Sequence, residues 1–339
     1  MLCNVIPGGL VARDLLGRLS MSAREYYRAV ITGGIVVERL DEEHVIESVR
    51  DCLVRGDDAA LAVLSVNVDH LHHFAPGRHA LTDDPAGTGI RWMSLADGAP
   101  VAARAGLKVG EEWPRVTGAD LLPKLLAQAE SVGASVGFLG GTPEVHENLR
   151  EYLACERPGI ASVHFWAPER AQVDSTEGSK AIADQIAAAD VDMLCVAFGK
   201  PRQELWIERF GARTGCRVLL AFGASADFIA GKVERAPEWA QSSGLEWLYR
   251  LAREPRRLAR RYLVQGPVAA TRLIRTEDLT SERRAAPVNA PGALRDGVQG
   301  RRRHAPRGVI GRRRAAHETL GGKAADRRHR RASSQGGTE

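Results

Sequence analysis

Two apolar runs decide the fold: VDMLCVAFGKPRQELWIERF at residues 191–210 and VLLAFGASADFIAGKVERAPEW at residues 218–239. Each begins as an almost unbroken apolar strand and runs into a glycine turn. A third stretch, GLEWLYRLAREPRRLARRY at residues 244–262, is crowded with arginines. The polar residues after each strand stand where open α/β sheets bind their ligands. Arginines are suited to a pyrophosphate group, because the guanidinium matches phosphate oxygens in geometry and charge.

Strands and helices alternate along the chain around these runs. Further apolar strands are predicted at 61–68, 135–141 and 161–168, and helices at 143–154 and 178–189. Alternating elements of this kind form a parallel sheet, and continuous apolar strands indicate that both faces of the sheet are covered. We therefore predict an α/β fold, a Rossmann-like parallel sheet with helices on both faces.

Composition divides the 339 residues into four parts. Residues 1–29 have weak periodicity and are predicted to be an extension, and residues 30–240 form the core. Residues 241–270 form a basic amphipathic helical appendage. Residues 271–339 are predicted to be a disordered Arg-rich tail, because they hold almost no large apolar side chains. This tail holds 17 Lys/Arg and 7 Asp/Glu, a net charge of +10. The whole chain has a net charge of +5, so residues 1–270 have a net charge of −5.

Cysteine usage and hydropathy indicate the cellular compartment. The five cysteines include no CxxC pair, which favours neither a disulfide framework nor a zinc site and is typical of a reducing cytoplasm. The chain has no 18-residue apolar run and no signal-peptide core, so we expect a cytoplasmic protein. His72 and His73 are adjacent and point in different directions, so we interpret them as structural and expect no metal site.

Glycines at three strand ends suggest a nucleotide crevice. They are Gly140 and Gly141, Gly199, and Gly223. Glycine permits sharp turns and lets a phosphate approach bare N–H groups at a helix N-terminus. Any one of them could be an ordinary turn glycine, but three successive units favour nucleotide binding. The chain lacks GxGxxG and GxxxxGK[ST], so a dinucleotide or P-loop interpretation has no fingerprint.

Three polar residues follow or end apolar strands. Asp97 could act as a general base, although spacing alone favours a plain Asp-Gly turn. Ser65 and Asn67 lie on the 61–68 strand, where they either contact a sugar or satisfy the backbone. Pattern alone does not decide between these alternatives.

The arginines of the appendage recur at helical spacing. Arg250, Arg253, Arg257 and Arg260 fall on one helix face, and Pro255 is expected to kink or restart that helix. A charged face is usually simply solvated. The neighbouring Trp and Tyr residues favour an anion clamp or a membrane-surface helix instead. The tail has no aromatics between its arginines, so we expect no specific nucleic-acid binding.

Six ordered blocks resemble the WecG/TagA/CpsF family of bacterial glycosyltransferases over roughly residues 30–265. The blocks are ADG at 96–98, RVTGADLL at 115–122, GFLGGTPEV at 137–145, VAFGKPRQELWI at 196–207, GASADFIAGKVERAP at 223–237 and GLEWLYRL at 244–251. The resemblance implies inverting transfer of a hexose-type sugar from a UDP-sugar to a polyprenyl-diphosphate-linked saccharide. N-acetylmannosamine is the first choice, and glucose or a uronic acid sugar in exopolysaccharide assembly is the alternative.

The resemblance also implies roles for individual residues. Asp97 would be the base. The implied substrate-binding residues are Ser65, Asn67, Arg115, Gln203, Arg250, Arg257 and Arg260. The appendage would close over the site and contact the anionic inner face of the membrane. No cofactor is implied, since the UDP-sugar is a co-substrate, and the oligomeric state is left open. Ser65 departs from the family's threonine, and Arg202 replaces a frequent lysine.

Two other classes remain as alternatives at this point. An NAD-dependent oxidoreductase would use a similar sheet, but its glycine fingerprint and ribose-binding acid are missing. A noncatalytic nucleic-acid binder would depend on the basic tail.

Overall fold

The described strands pair into a single sheet of nine. The computed structural model describes residues 28–279, except 75, 77, 80, 82–84, 232–235, 238 and 241–245. The strands are β1 (Ala29–Thr32), β2 (Ile35–Glu38), β3 (Ala60–Val66), β4 (Ile90–Ala96), β5 (Val136–Gly140), β6 (Val163–Trp166), β7 (Met193–Ala197), β8 (Val218–Ala221) and β9 (Thr276–Asp278). Their order in the sheet is β6-β5-β7-β8-β3-β4-β2-β1-β9.

Helices connect these strands. They are α1 (Glu42–Arg55), α2 (Val68–Phe74), α3 (Pro85–Thr88), α4 (Ala99–Val109), α5 (Gly118–Ser131), α6 (Pro143–Glu156), α7 (Arg170–Asp174), α8 (Thr176–Ala188), α9 (Arg202–Phe210), α10 (Gly223–Ile229), α11 (Glu246–Arg253), α12 (Pro255–Ala259) and α13 (Gly266–Ala270). Two 3₁₀ helices, Ala212–Thr214 and Thr271–Arg275, and a π-helical segment, Arg260–Gln265, complete the described helical structure.

The central strands are parallel and buried on both faces. Along β3, Leu64 and Val66 pack into one apolar cluster, while Leu61 and Val63 pack into the other. Successive strand residues point to opposite faces, so an unbroken apolar strand requires a core on each side. The predicted Rossmann-like α/β fold is thus confirmed. An antiparallel edge formed by β2, β1 and β9 is added to it.

The predicted start of the disordered tail at residue 271 is wrong. Residues 271–278 form a 3₁₀ turn and β9, with Leu273 and Thr276 buried. Thr276 pairs with Thr32 in the β9–β1 ladder, and their hydroxyls lie 2.8 Å apart. Main-chain pairing stabilises this segment despite its polar composition. Residues 1–27 of the predicted extension and residues 280–339 of the predicted tail lie outside the described residues.

The appendage is not one continuous helix. The first helix ends at Arg253, and a new helix begins at Pro255, which lacks the N–H needed to continue the first. A π-helical turn then follows from Arg260. The four arginines predicted to share one helix face are therefore distributed over three segments. No helix in the described part of the chain combines the length and apolar character needed to cross a bilayer.

We predict that β9 fastens the C-terminal segment to the sheet. A chain ending at Leu279, whose N–H donates to Ala29 O at 3.1 Å, keeps the complete β9 ladder. A chain ending at Arg275 loses it and should be destabilised by about 2–4 kcal/mol, since each net hydrogen bond contributes about 1 kcal/mol. Urea unfolding of the two proteins measures this difference. Equal stabilities would show that β9 contributes nothing.

Candidate functional site

The site is built where β3 and β4 end. These neighbouring parallel strands pair with Val66 opposite Ala96, so the next residues, Asn67 and Asp97, come side by side. Asn67 Nδ2 donates to Asp97 Oδ2 at 3.1 Å. Asn67 Oδ1 accepts from the N–H of His70 at 3.1 Å, which caps α2. One amide side chain therefore starts a helix and orients a carboxylate.

A polar cavity of about 300 Å³ lies along the carboxyl ends of β3, β7 and β8. We call it the strand-end cavity. Among its lining residues are Ser65, Gly199, Lys200, Gln203 and Gly223. The backbone approaches closely here, since a Cβ on Gly223 would lie 2.6 Å from Gln203 Oε1. This cavity occupies the edge at which open α/β sheets bind ligands.

A second cavity of about 360 Å³ lies beside it, between α2, the start of α4 and the C-terminal helices. We call it the apolar cavity. Its lining includes Pro100, Trp247, Tyr262 and Pro267, together with Arg115. The apolar side chains come largely from the C-terminal segment, so this cavity exists only where that segment packs on the core.

The two cavities share a wall, which we call the junction. The residues that line both are Asn67, Asp97, Glu246, Arg250 and Arg261. Two of these residues form ion pairs with the sheet side of the site: Arg261 with Asp69 at 3.2 Å, and Glu246 with Arg115 at 3.8 Å.

Asp97 and Arg250 are the exceptions at the junction. Within the described chain, Asp97 is held by the neutral amide of Asn67 and has no cationic partner. Arg250 stacks over Phe228, with its guanidinium carbon 5.4 Å from the ring centre. Its buried Nε has no hydrogen-bond partner among the described atoms. A carboxylate and a guanidinium thus line the same wall, and neither forms an ion pair among the described residues.

A buried network supports the strand-end cavity. Lys200 Nζ donates to Glu204 Oε1 and to Ser65 O, both at 2.8 Å, and lies 3.4 Å from His70 Nδ1. Gln203 accepts from the N–H of Gly199 at 3.1 Å and donates to Ala221 O at 2.7 Å. Together these contacts tie α9 to the ends of β3, β7 and β8.

Burial controls the ionisation of this network. Desolvation, reinforced by the charge of Lys200, lowers the pKa of His70 to about 4, so the imidazole is neutral at pH 7. Burial opposes ionisation of Glu204, but the charge of Lys200 outweighs it and holds the pKa of that carboxyl below its usual range. Lys200 is accordingly neutralised by Glu204, and arginines from the C-terminal segment bring most of the remaining positive charge.

The structure brings most of the predicted site residues together. Those lining the strand-end cavity are Ser65, Asn67, Asp97, Gln203, Gly199, Gly223 and Arg250, and Arg115 lines the apolar cavity. Gly140 and Gly141 line neither. A Cβ on Gly140 would lie 2.9 Å from Ala197 O, so close strand packing explains that glycine.

Two of the predicted substrate-binding arginines, Arg257 and Arg260, are not among these lining residues. Arg260 is exposed and lines neither cavity. The side chain of Arg257 lies outside the described atoms.

Sequence reasoning missed three ionic residues of the site: Glu246 and Arg261 at the junction, and Asp69 in the apolar cavity. Arg261 stands 11 residues after Arg250, which is close to three turns of a continuous helix, but the helix breaks at Pro255, so this spacing is not a valid signal. No sequence signal pointed to Asp69 or Glu246, because a carboxylate in the first turn of a helix is ordinarily interpreted as interacting with the helix dipole.

We predict that the buried neutral His70 makes the fold sensitive to acid. The folded-state pKa lies below the ordinary value of 6.5, so the unfolded chain binds the extra proton first. The stabilisation from neutral His70 is therefore fully present above about pH 6.5. As the pH falls towards 4, the free energy of unfolding decreases by roughly 3 kcal/mol in all. His70→Gln should flatten this part of the stability–pH curve in urea unfolding between pH 7 and 4.5. An unchanged slope would contradict the assignment.

Comparisons with known proteins identify the family of this chain. A family model described as "Glycosyl transferase WecG/TagA/CpsF family" matches residues 30–284. An N-acetylglucosaminyldiphosphoundecaprenol N-acetyl-beta-D-mannosaminyltransferase of Bacillus spizizenii is 29% identical over 212 residues, which cover 62% of this chain and 73% of that protein. The resemblance predicted for residues 30–265 is confirmed and extends through β9. The chain belongs to the WecG/TagA/CpsF family of glycosyltransferases.

Proposed function

We propose that this glycosyltransferase moves a hexose-type sugar from a UDP-sugar to a polyprenyl-diphosphate-linked saccharide in cell-surface polysaccharide synthesis. The observation that carries the proposal is the junction. There Asp97 and Arg250, which form no ion pair among the described residues, line the wall shared by a polar and an apolar cavity. Two substrates with different surfaces can meet at such a wall.

The strand-end cavity suits the nucleotide-sugar. It lies at the carboxyl ends of parallel strands, and the bare backbones of Gly199 and Gly223 line it. The apolar cavity suits the lipid-linked acceptor, because Trp247 and Tyr262 offer flat apolar surfaces for a saccharide and the adjoining lipid.

The proposed chemistry is a single displacement with inversion. Asp97 takes the proton of the acceptor hydroxyl, and the oxygen attacks the anomeric carbon. The bond from that carbon to the diphosphate oxygen breaks on the opposite face, and UDP departs with the electron pair. Arg250 stabilises the negative charge that develops on the diphosphate, as a preorganised cation does in other phosphate-leaving reactions. Asn67 holds the base in place through its 3.1 Å hydrogen bond.

N-acetylmannosamine is the first-choice sugar, because the Bacillus spizizenii relative bears the name of an N-acetylmannosaminyltransferase. Glucose or a uronic acid sugar remains the alternative. The oxidoreductase alternative is excluded by membership in a glycosyltransferase family. A donor screen with several UDP-sugars and a short-chain polyprenyl-diphosphate saccharide tests the proposal. Turnover of none of the donors would overturn it.

We further propose peripheral attachment to the inner face of the plasma membrane. The C-terminal segment exposes apolar side chains beside exposed arginines. Leu248 is 48% exposed and Leu263 60% exposed, and Arg256 and Arg260 are also exposed. A surface that combines apolar and basic side chains is typical of interfacial helices.

Asp97→Asn should keep the fold and UDP binding but slow sugar transfer by about 10²–10⁴-fold, the usual contribution of general-base catalysis. The amide can still accept the hydrogen bond from Asn67 but cannot take a proton. Steady-state turnover measures the loss. Asp174→Asn, which removes a carboxylate paired with Arg170 at 3.2 Å on an exposed helix, is the control and should turn over normally. Wild-type turnover by Asp97→Asn would end the base assignment.

Binding to vesicles containing phosphatidylglycerol should be reversed by salt. Each basic residue near an anionic leaflet contributes on the order of 1 kcal/mol, and salt screens this attraction. Co-sedimentation at low and high salt measures the release. Retention in high salt, with release by detergent alone, would contradict peripheral attachment.

The basic tail needs a control of its own, because its net charge of +10 could bind lipid unaided. The chain ending at Leu279 retains β9 and lacks residues 280–339. If that shortened protein no longer binds vesicles, the tail and not the helical segment is the attachment site.

A further inference from the structure

One ion pair joins the first turn of α2 to the π-helical segment at the junction. Arg261 Nη2 lies 3.2 Å from Asp69 Oδ2, and the Asp69 side chain is only 10% exposed. Both residues line the apolar cavity, and Arg261 also lines the strand-end cavity. A carboxylate with so little access to water holds a guanidinium more firmly than an exposed one would.

The same helical turn also holds the proposed base. Asn67 caps α2 through the N–H of His70 and donates to Asp97, and Asp69 follows two residues later. Residues 67–70 therefore position the carboxylate of Asp97 and the guanidinium of Arg261 from one rigid element. The relative placement of the two charges is set by this turn.

Arg261 retains hydrogen-bonding capacity beyond its ion pair. A guanidinium has five N–H donors, and Nη2 faces Asp69. The buried Nε has no partner among the described atoms. Because Nε is buried, a ligand at the cavity wall meets the Nη donors of Arg261, and the donors of a charged group are suited to an anionic oxygen. The neighbouring Arg260 is exposed and reaches neither cavity.

We propose that Arg261 contacts the diphosphate of the nucleotide-sugar and that Asp69 is the positioning residue that presents Arg261 to it. This inference rests on the proposed function and specifies its donor-binding residues. Asp69 also lies 3.8 Å from His73 Nε2, but it acts on the diphosphate through Arg261, because a carboxylate cannot itself bind a diphosphate favourably. Removing Asp69 leaves the guanidinium charged but free to turn towards water.

The test is calorimetric titration of the full-length protein with UDP. Arg261→Gln should weaken UDP binding roughly tenfold to a hundredfold, the range expected for charge-assisted hydrogen bonds. Asp69→Asn should weaken it by less, and Asp69→Glu should restore part of the loss. In the Arg261→Gln background, Asp69→Asn should cause no further loss, since residues acting through one contact are not additive.

Two variants provide matched controls. Asp184→Asn removes a carboxylate from a surface pair with Arg213 at 2.6 Å and should leave UDP binding unchanged. Arg260→Gln should weaken binding less than Arg261→Gln does. Melting temperatures report whether a variant is merely destabilised. The Asp69→Asn, Arg261→Gln double variant, which leaves no unpaired charge, provides the comparison should Asp69→Asn alone unfold.

Each outcome decides a separate point. Unchanged UDP binding by Arg261→Gln overturns this inference and leaves the proposed function standing. A larger loss in Arg260→Gln assigns the contact to that residue instead. Additive losses in the double variant show that Asp69 does not act through Arg261. A wild-type protein that does not bind UDP overturns the proposed donor and this inference together.

Discussion

The hydrogen bond between Asn67 and Asp97 is the contact on which the rest of the site depends. It exists because β3 and β4 are parallel neighbours in a register that ends both strands at the same level. The same asparagine caps α2, and α2 in turn carries Asp69 and His70. A shift of one residue in that register would turn these side chains to the other face of the sheet and separate them.

Charge pairing explains which groups are available at the junction. Lys200 is matched by Glu204, Arg261 by Asp69 and Glu246 by Arg115. Burying an unpaired charge is costly, so polar groups in the protein interior are held in networks. Among the described residues, Asp97 and Arg250 have no ion-pair partner where the two cavities meet, so their charges can be directed at a substrate.

The C-terminal segment is held at both ends of its path over the site. Glu246 pairs with Arg115 near its start, and β9 joins the sheet at its end. Between these points α13 packs against α2, and Arg104 Nε donates to Leu273 O at 2.9 Å. The apolar cavity therefore depends on strand pairing at a distant edge of the sheet.

Sequence alone determined the parallel α/β sheet and the position of Asp97, Ser65 and Asn67 at strand ends, because hydrophobic periodicity and strand termini are local properties. Only the tertiary structure decided which arginine reaches the junction. A straight helix would keep Arg250 and Arg261 on one face, but the break at Pro255 and the π-helical turn after it reset the phase, so only packing on α2 shows where Arg261 points. The tertiary structure also decided that residues 271–278 are folded. Their main-chain hydrogen-bond partner, β1, lies more than 200 residues away in sequence.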